Sequence, residues 1–454
     1  MIGFVAILHD VRKIHKEELP MKYAIATLGC KVNQFETQAI EALLARRGHS
    51  ATDAGDADVV IVNTCAVTAE SGRKSRQAVR RLLRENPGAI AAVCGCFSQL
   101  SPEETAALGA EVRVVYGSGD RERFVAAVER AAAENASETH VDDPFRRRTM
   151  ELLPAGALEG RTRAYLKIQD GCDNFCSYCV IPYARGRVRS MPPGDIAAQA
   201  GRLAGSGFRE IVVTGIEIAS YGKDLPPQRP DGARPGLSDA ILAAAAAAPG
   251  LRLRLGSLEP TVVTEAFCAA LKACGSLCRH FHLSLQSGCD RTLAAMRRRY
   301  DTARFASSAA LLRETFPGCA LTADLITGFP GETEADHRAT LDFIRSAGFA
   351  SMHIFPYSPR PGTAAAAMPD QLPRAVREAR AREAQQAAEE MRQAYLAAQL
   401  GRTLPVLFET ERDGLWQGHA DNYCVVCARG AGHGIMKNVK IISIDGEKLI
   451  GIIV

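Results

Sequence analysis

The segment DGCDNFCSYCVIPYARG, residues 170–186, decides the architecture of this 454-residue chain. It places three cysteines, Cys172, Cys176 and Cys179, within eight residues, directly after the predicted strand AYLKIQ. Turn-forming residues surround the first thiol, which favours an irregular loop over a helix. Three thiolates on one loop can each bind one iron of a four-iron cluster and leave the fourth iron open to a small ligand.

A structural zinc ion is the alternative for this loop. Structural zinc sites usually combine two Cys-x2-Cys pairs, or one such pair with a pair of histidines, and no clear partner follows downstream. Cys424 and Cys427 have the first spacing, but they lie in a predicted strand, where positions three apart face opposite sides. We therefore favour an iron–sulfur cluster and keep zinc as the alternative.

Six predicted strands, separated by helical segments, extend over residues 161–357. They are AYLKIQ, EIVVTG, LRLRLGS, HFHLSLQ, ALTADLITG and SMHIFPY. Six βα units are too few for a closed eight-stranded barrel and predict an open, partial barrel. Functional groups are expected at the carboxyl ends of these strands, where the cysteine loop begins.

The rest of the chain predicts two further domains of an α/β protein. Residues 22–134 alternate apolar strands with amphipathic helices, which is typical of a small parallel sheet covered by helices. From residue 401, short strands with Gly turns predict a small all-β module. The predicted divisions are an upstream extension (1–20), an N-terminal domain (21–135), a linker (136–160), the partial barrel with a long helix (161–400) and the β module (401–454).

A second set of cysteines lies in the N-terminal domain. Cys30, Cys65 and Cys96 each follow a different predicted strand, in TLGCKVNQ, VNTCAVT and VCGCFSQ. Because the carboxyl ends of parallel strands share one edge, we expect these thiols to converge on a second cluster. We interpret Cys94, two residues before Cys96, as core packing, and simple burial is the alternative for the whole set.

Composition and charge limit the class of function. Fourteen cysteines without a convincing signal peptide favour metal or redox sites in a reducing cytoplasm over a disulfide scaffold. No apolar run reaches the ~18 residues of a membrane-spanning helix, so no membrane partner is predicted. The net charge of +4 only permits an anionic partner. The basic residues that are candidates for phosphate contacts, with solvated helix faces as the alternative, are Arg73, Lys74, Arg76, Arg297, Arg298, Arg402 and Lys437.

The pattern Cys-x3-Cys-x-aromatic-Cys after the first strand of a partial barrel resembles the radical S-adenosylmethionine superfamily. Longer segments resemble the methylthiotransferases, from about residue 22 to the end: TRAYLKIQDGCDNFCSYCVIPYARGRVRS, HLSLQSGCDRTLAAMRRRY, DLITGFPGETEADHRATLDFI and HIFPYSPRPGT. The resemblance implies that the cluster on the Cys172 loop binds and cleaves S-adenosylmethionine, and that the resulting radical abstracts hydrogen from a carbon. It also implies an auxiliary [4Fe–4S] cluster on Cys30, Cys65 and Cys96, and an electron donor such as flavodoxin or ferredoxin.

The same resemblance implies further site residues. Gly215 and Glu217, in VVTGIEIASYG, are expected near S-adenosylmethionine, although relatives often carry His where Glu217 stands. Ser284, Gln286 and Asp324 lie near predicted strand ends and are expected on the adenosyl or substrate side, with a structural cap as the alternative for Asp324. The C-terminal β module resembles the TRAM domain, a small barrel that binds RNA.

The tripeptide after the first cysteine indicates a branch of the family. Lys31, Val32 and Asn33, in LGCKVNQFE, resemble the branch that methylthiolates carbon 2 of N6-threonylcarbamoyladenosine at position 37, beside the anticodon of tRNA. This predicts a tRNA anticodon stem-loop as the partner. N6-isopentenyladenosine of tRNA and an aspartate of a ribosomal protein stay open as alternative substrates. A non-catalytic RNA-binding protein with structural metal sites is the alternative from another class.

Overall fold

A computed structural model describes residues 20–154, 161–228 and 231–454. The predicted extension, apart from its last residue, lies outside these ranges, and so does part of the predicted linker. No helix in the described part of the chain combines the length and the apolarity needed to cross a membrane.

The N-terminal domain is built on a six-stranded parallel sheet with the order β2-β1-β3-β4-β5-β6, as the βα alternation predicts. Its strands are β1 (Lys22–Thr27), β2 (Ser50–Ala51), β3 (Val59–Thr64), β4 (Ile90–Gly95), β5 (Val112–Tyr116) and β6 (Glu138–His140). Its helices are α1 (Lys31–Arg46), α2 (Ala69–Glu85), α3 (Cys96–Leu100), α4 (Pro102–Ala106) and α5 (Arg121–Glu134). The central strands are buried on both faces, which explains their continuous apolar sequences.

The central domain contains the six predicted parallel strands in two sheets, β10-β9-β7-β8 and β11-β12-β13. The strands are β7 (Arg163–Asp170), β8 (Arg189–Ser190), β9 (Glu210–Gly215), β10 (Arg252–Leu255), β11 (His280–Gln286), β12 (Ala320–Thr327) and β13 (Ser351–Pro356). Isolated bridges connect the sheets, from Leu253 to Leu277 and from Leu258 to Leu283. Among the described residues, β13 does not pair with β7, so the barrel is open, as predicted.

Helices cover the outer side of this open barrel, and a single core runs through it. The helices are α6 (Ile181–Arg185), α7 (Pro193–Gly205), α8 (Leu237–Ala247), α9 (Glu265–Ala273), α10 (Asp290–Ala295), α11 (Thr302–Thr315), α12 (Glu334–Ala347) and α13 (Arg374–Ala397). The unpredicted strand β8 pairs antiparallel with the end of β7 and closes the base of the cysteine loop between them.

The C-terminal module is a closed five-stranded barrel with the order β14-β15-β16-β18-β17, which confirms the all-β prediction. Its strands are β14 (Thr403–Arg412), β15 (Leu415–Ala420), β16 (Val425–Ala428), β17 (Met436–Asp445) and β18 (Lys448–Ile453). Arg254 of β10 attaches it to the central domain by donating to the carbonyls of Asp421 (2.9 Å) and Ala420 (3.1 Å). Closure leaves no free strand edge in this small module.

Candidate active site

The N-terminal cysteines stand at one edge of the parallel sheet. Cys30 follows β1, Cys65 follows β3 and Cys96 follows β4, and these three strands are neighbours. Burial raises the pKa of Cys65, and the nearby Cys30 thiol adds to the effect. Burial also raises the pKa of Cys96 to about 12, again with a contribution from the other two thiols. The structure therefore brings together the three thiols that the sequence places at strand ends.

Two glycines make this approach possible. A Cβ atom at Gly29 would lie 2.8 Å from Cys65 Sγ, and one at Gly95 would lie 2.5 Å from the Thr64 carbonyl oxygen. Both glycines have positive φ angles, +108° and +106°, which side chains disfavour. Cys94, by contrast, is fully buried in the apolar core of the sheet, as expected of a packing residue.

The second triad lies on the loop between β7 and α6. The backbone N–H of Cys172 donates to the Gly186 carbonyl (3.0 Å), and that of Cys179 donates to the Cys176 carbonyl (3.0 Å). Burial raises the pKa of Cys172 well above its ordinary value, and that of Cys179 to about 12. The Cys172 thiol is also affected by those of Cys179 and Cys176, and the Cys179 thiol by that of Cys176.

The positions of the sulfur atoms fit polynuclear clusters better than single metal ions. One tetrahedral zinc ion, with Zn–S bonds near 2.3 Å, needs sulfur atoms about 3.8 Å apart. Within the described ranges, neither cysteine triad brings its three sulfur atoms within 4.8 Å of one another. Buried thiols ligate as thiolates when a metal centre compensates their charge. This spacing disfavours a single zinc ion held by the three thiols of one triad, and [4Fe–4S] clusters on both triads stay a prediction.

The two triads face one another. The Cys96 thiol contributes to the raised pKa of Cys179, after burial and the Cys176 thiol. Cys96 also shares an apolar cluster with Val180 and Ala184, which follow the cysteine loop directly. A substrate placed between the triads would therefore be within reach of both.

A buried charge network that the sequence analysis missed lies between the triads. Glu36 of α1 is 1% exposed and accepts hydrogen bonds from Arg185, from Lys167 Nζ (2.8 Å) and from Arg121 Nη2 (3.2 Å). Arg185 Nε also donates to Cys96 Sγ at 3.2 Å. Burial opposes ionisation, but the three cations outweigh it and hold the pKa of Glu36 well below its usual range.

The sequence contained one signal for this network, the helical spacing of Glu36 with apolar residues of α1. Glu36 lies four residues after Val32 and four before Ile40, and both of these are buried on α1. A carboxylate in an apolar stripe requires buried cationic partners. The sequence could indicate that need but could not indicate that Arg185, 149 residues away, meets it.

Gly215 and Glu217, the predicted cofactor contacts, meet the end of β7. The Glu217 N–H donates to Gln169 Oε1 at 2.8 Å, and a Cβ atom at Gly215 would lie 2.9 Å from the same oxygen. Burial, followed by repulsion from Glu259, raises the pKa of Glu217 to about 7. A neutral carboxyl group is therefore present there at mildly acidic pH.

Arg298, one of the predicted phosphate contacts, lies against the cysteine loop. Its side chain is only 5% exposed, and Nη1 donates to Cys176 Sγ at 3.0 Å. Its Nε donates to Tyr300 Oη (3.1 Å), and the Tyr300 hydroxyl donates to the Ser284 carbonyl. Ser284 is thereby connected to the cysteine loop. Gln286, at the end of β11, has a positive φ of +66°.

Asp324 lies among histidines. Its Oδ1 accepts a hydrogen bond from His353 Nδ1 (3.1 Å), and its Oδ2 lies 3.2 Å from His282 Nε2. Burial opposes ionisation, but the two imidazoles hold the pKa of Asp324 below its usual range. His280 and His282 share one face of β11, and both contact Thr322 Oγ1, at 3.1 and 3.0 Å.

Comparison with known proteins places this site in a family. The model of the uncharacterized protein family UPF0004 matches residues 22–117, and that of the radical SAM superfamily matches residues 166–344. Threonylcarbamoyladenosine tRNA methylthiotransferase MtaB of Bacillus subtilis is 36% identical over 425 residues, which cover 92% of each chain. The MtaB of Thermotoga maritima is 33% identical over 429 residues, 94% of this chain and 95% of the relative.

The chain belongs to the radical S-adenosylmethionine methylthiotransferases. This family consists of enzymes, which removes the non-catalytic alternative. Radical S-adenosylmethionine enzymes use S-adenosylmethionine with a [4Fe–4S] cluster, and the cysteine loop offers the required thiols. The tRNA-2-methylthio-N(6)-dimethylallyladenosine synthase of Sphingopyxis alaskensis is also similar, with 34% identity over 443 residues, 96% of this chain and 98% of the relative.

The fold of this methylthiotransferase also occurs in a solved structure. The radical S-adenosylmethionine methyltransferase TsrM from Kitasatospora setae superposes with a TM-score of 0.57 at 15% identity, over 77% of this chain and 74% of TsrM. At this identity the likeness concerns the fold alone.

The remaining basic residues predicted to contact RNA differ in exposure. Those at the surface are Arg73, Lys74, Arg297 and Lys437. Arg76 is half-buried, pairs with Glu104 at 3.2 Å and lies over the Phe97 ring. Arg402 is half-buried and donates to Gln399 Oε1 at 3.2 Å. RNA contacts by these residues of the methylthiotransferase stay a prediction.

Proposed function

We propose that this methylthiotransferase transfers a methylthio group to carbon 2 of N6-threonylcarbamoyladenosine at position 37 of tRNA, beside the anticodon. The packing of Cys96 against Val180 and Ala184, which directly follow the second triad, carries the chemical part of the proposal. The substrate is supported by the MtaB relatives, whose names specify threonylcarbamoyladenosine and whose similarity extends over nearly the whole chain.

Each triad would hold one [4Fe–4S] cluster: Cys172, Cys176 and Cys179 the one that binds S-adenosylmethionine, and Cys30, Cys65 and Cys96 the auxiliary one. When bound, these groups supply a hydrogen-abstracting radical and a source of sulfur. The chain's own contribution is position and exclusion of water. The ion pairs of Glu36 fix the two triads relative to one another, and the burial of Cys65 and Cys96 limits the access of solvent to that part of the site.

The tRNA would present its target base from the anticodon loop. Bases of this loop are single-stranded, so moving one into a buried site costs less than extracting it from a duplex. Exposed basic residues such as Arg73 and Lys437 are available for the phosphates of the stem-loop. An electron donor such as flavodoxin or ferredoxin, and a cytoplasmic location, complete the proposal.

N6-isopentenyladenosine is the second candidate substrate. The synthase of Sphingopyxis alaskensis, whose name specifies the dimethylallyl nucleoside, is 34% identical over 96% of this chain. The two substrates differ in charge, since the threonylcarbamoyl group carries a carboxylate and the isopentenyl group is a hydrocarbon.

The test is an anaerobic reaction of the reconstituted full chain with dithionite, S-adenosylmethionine and synthetic anticodon stem-loops. One stem-loop carries threonylcarbamoyladenosine and the other isopentenyladenosine, and nucleosides are then analysed by mass spectrometry. We expect methylthiolation of the first alone. Modification of only the second would refute the substrate, and the absence of 5′-deoxyadenosine would refute the reaction.

Iron content tests the second cluster. Full reconstitution should give about eight irons per chain, and Cys96→Ala should lower this to about four. Cys94→Ala is the matched control, because this thiol lies two residues away but packs in the core. Equal iron in wild type and Cys96→Ala would contradict an auxiliary cluster.

A further inference from the structure

Lys31 has no direct counter-ion among the residues that the structure describes. It is the first residue of α1, directly after Cys30, and its side chain is half-buried. Within residues 20–154, 161–228 and 231–454, its ammonium group forms no ion pair or hydrogen bond. A half-buried cation without an anion is unfavourable, so its presence requires an explanation.

The charges around Lys31 are already paired with one another. Through space, its side-chain nitrogen interacts first with Tyr423 and then with Arg254 and Arg163. Each of these guanidinium groups has its own carboxylate: Arg163 lies 2.8 Å from Glu409, and Arg254 lies 2.8 Å from Glu210. Both carboxylates are therefore paired with an arginine and not with Lys31. The two guanidinium groups also make the electrostatic potential at Lys31 more positive.

An acid in this region, Asp324, has histidine neighbours of its own. It interacts with Lys31 only through space, while its Oδ1 accepts a hydrogen bond from His353 Nδ1 (3.1 Å) and its Oδ2 lies 3.2 Å from His282 Nε2. Among the described residues, no carboxylate of this region therefore pairs directly with Lys31.

Buried donors and acceptors in this region are also unsatisfied. His280 is 5% exposed, interacts with Lys31 through space, and its Nδ1 atom has no hydrogen-bond partner among the described residues. His282 is 7% exposed, and the contact of its Nε2 with Asp324 is close but does not have hydrogen-bond geometry. Buried polar atoms of this kind usually have a partner, so a polar ligand is expected here.

We propose that Lys31 binds the carboxylate of an acidic substituent on the target base, and thereby selects a base that carries an amino-acid group over one that carries a hydrocarbon group. The inference rests on the proposed function, in which that substituent is the threonyl group. Cys30, next to Lys31, belongs to the triad proposed to hold the auxiliary cluster, so the bound carboxylate would anchor the base beside that cluster.

The selectivity follows from the buried polar groups that a substrate without a carboxylate would leave unpaired. A site built around a charged group rejects an analogue that lacks the counter-charge, because the buried group then stays unpaired. A neutral substituent would also leave the histidine nitrogens without a polar partner. Discrimination is therefore expected at the level of binding, before any chemical step.

The test compares three stem-loops that differ only at the target base: threonylcarbamoyladenosine, its carboxylate methyl ester, and adenosine. Binding to the reconstituted full chain is measured without oxygen by fluorescence anisotropy. We expect wild type to bind the acid about tenfold more tightly than the ester, as for one hydrogen-bonded charge pair. Lys31→Gln should bind acid and ester alike, and Lys31→Arg should retain most of the preference.

Lys272→Gln, an exposed lysine of α9, is the matched control and should keep the wild-type preference. Iron is measured in every variant, so that loss of a cluster is not mistaken for loss of the carboxylate contact. Equal binding of acid and ester by wild type would overturn the inference without reference to any variant. A preference that persists in Lys31→Gln would overturn it as well.

The experiments distinguish failure of the proposed function from failure of the proposed role of Lys31. If only isopentenyladenosine is methylthiolated, the substrate is wrong even when acid-bearing RNA binds through Lys31. If threonylcarbamoyladenosine is methylthiolated while Lys31→Gln still distinguishes acid from ester, the function stands and the role of Lys31 is wrong.

Discussion

Replacing Glu36 by glutamine tests the buried network between the cysteine triads. The amide keeps the shape of the side chain but removes the charge that compensates Arg185, Lys167 and Arg121. Removing one partner of a buried ion pair costs about 3–5 kcal/mol. Asp170 still lies 2.6 Å from Lys167 and 3.6 Å from Arg185. We therefore expect the lower end, a loss of about 3 kcal/mol in the free energy of unfolding.

Urea unfolding of the full chain, followed by circular dichroism at pH 7 without oxygen, measures this loss. For a slope near 3 kcal/mol/M, the midpoint should fall by about 1 M. Glu41→Gln on the same helix is the matched control, because burial raises the pKa of Glu41 and its charge already opposes folding. A midpoint for Glu36→Gln within about 0.2 M of wild type would show that the charge of Glu36 does not stabilise the folded chain.

The pH dependence provides a second check on Glu36. Because its pKa is lowered in the folded chain, its contribution is present above the unfolded glutamate pKa of about 4.3 and is lost as the pH falls through the folded value. The difference in unfolding free energy between wild type and Glu36→Gln should shrink below about pH 4.3. A difference that stays constant down to pH 3 would exclude a charge-based role.

Three further changes test the site. Gly171 has a φ of +73°, and a Cβ atom there would lie 1.8 Å from a backbone carbonyl oxygen. Gly171→Ala should therefore lower the reconstituted iron by about four per chain. The control Gly194→Ala, where a Cβ atom meets open space, should keep the wild-type iron content. Arg298→Met removes a hydrogen-bond donor to Cys176 Sγ and should slow S-adenosylmethionine cleavage about tenfold. Arg297→Ala, at an exposed position, is the control, and equal cleavage rates in the two variants would contradict a role for the Arg298 contact. Burial raises the pKa of Glu217 to about 7, so wild type should lose stability as the pH rises from about 4.3 to that value, and Glu217→Gln should not. Parallel curves of urea midpoint against pH for the two proteins would contradict this expectation.

Local patterns in the sequence were enough to predict the elements and the location of the thiols. Strand and helix periods depend on local burial, so the parallel sheet, the open barrel and an all-β C-terminal module were predictable. Cys30, Cys65 and Cys96 each follow a strand, and the ends of parallel strands meet at one edge. Their convergence therefore followed from chain direction alone. The tight loop of the second triad needed no long-range information either.

Which charges are buried, and with which partners, became apparent from the folded chain. Arg298 is one of three consecutive arginines, yet it lies against Cys176, 122 residues away, while Arg297 is exposed. Glu36 meets Arg185 across 149 residues, whereas Lys31, within the described ranges, has no carboxylate paired with it. The physical reason is that desolvation and ion pairing depend on distances between remote segments, which local periodicity does not encode.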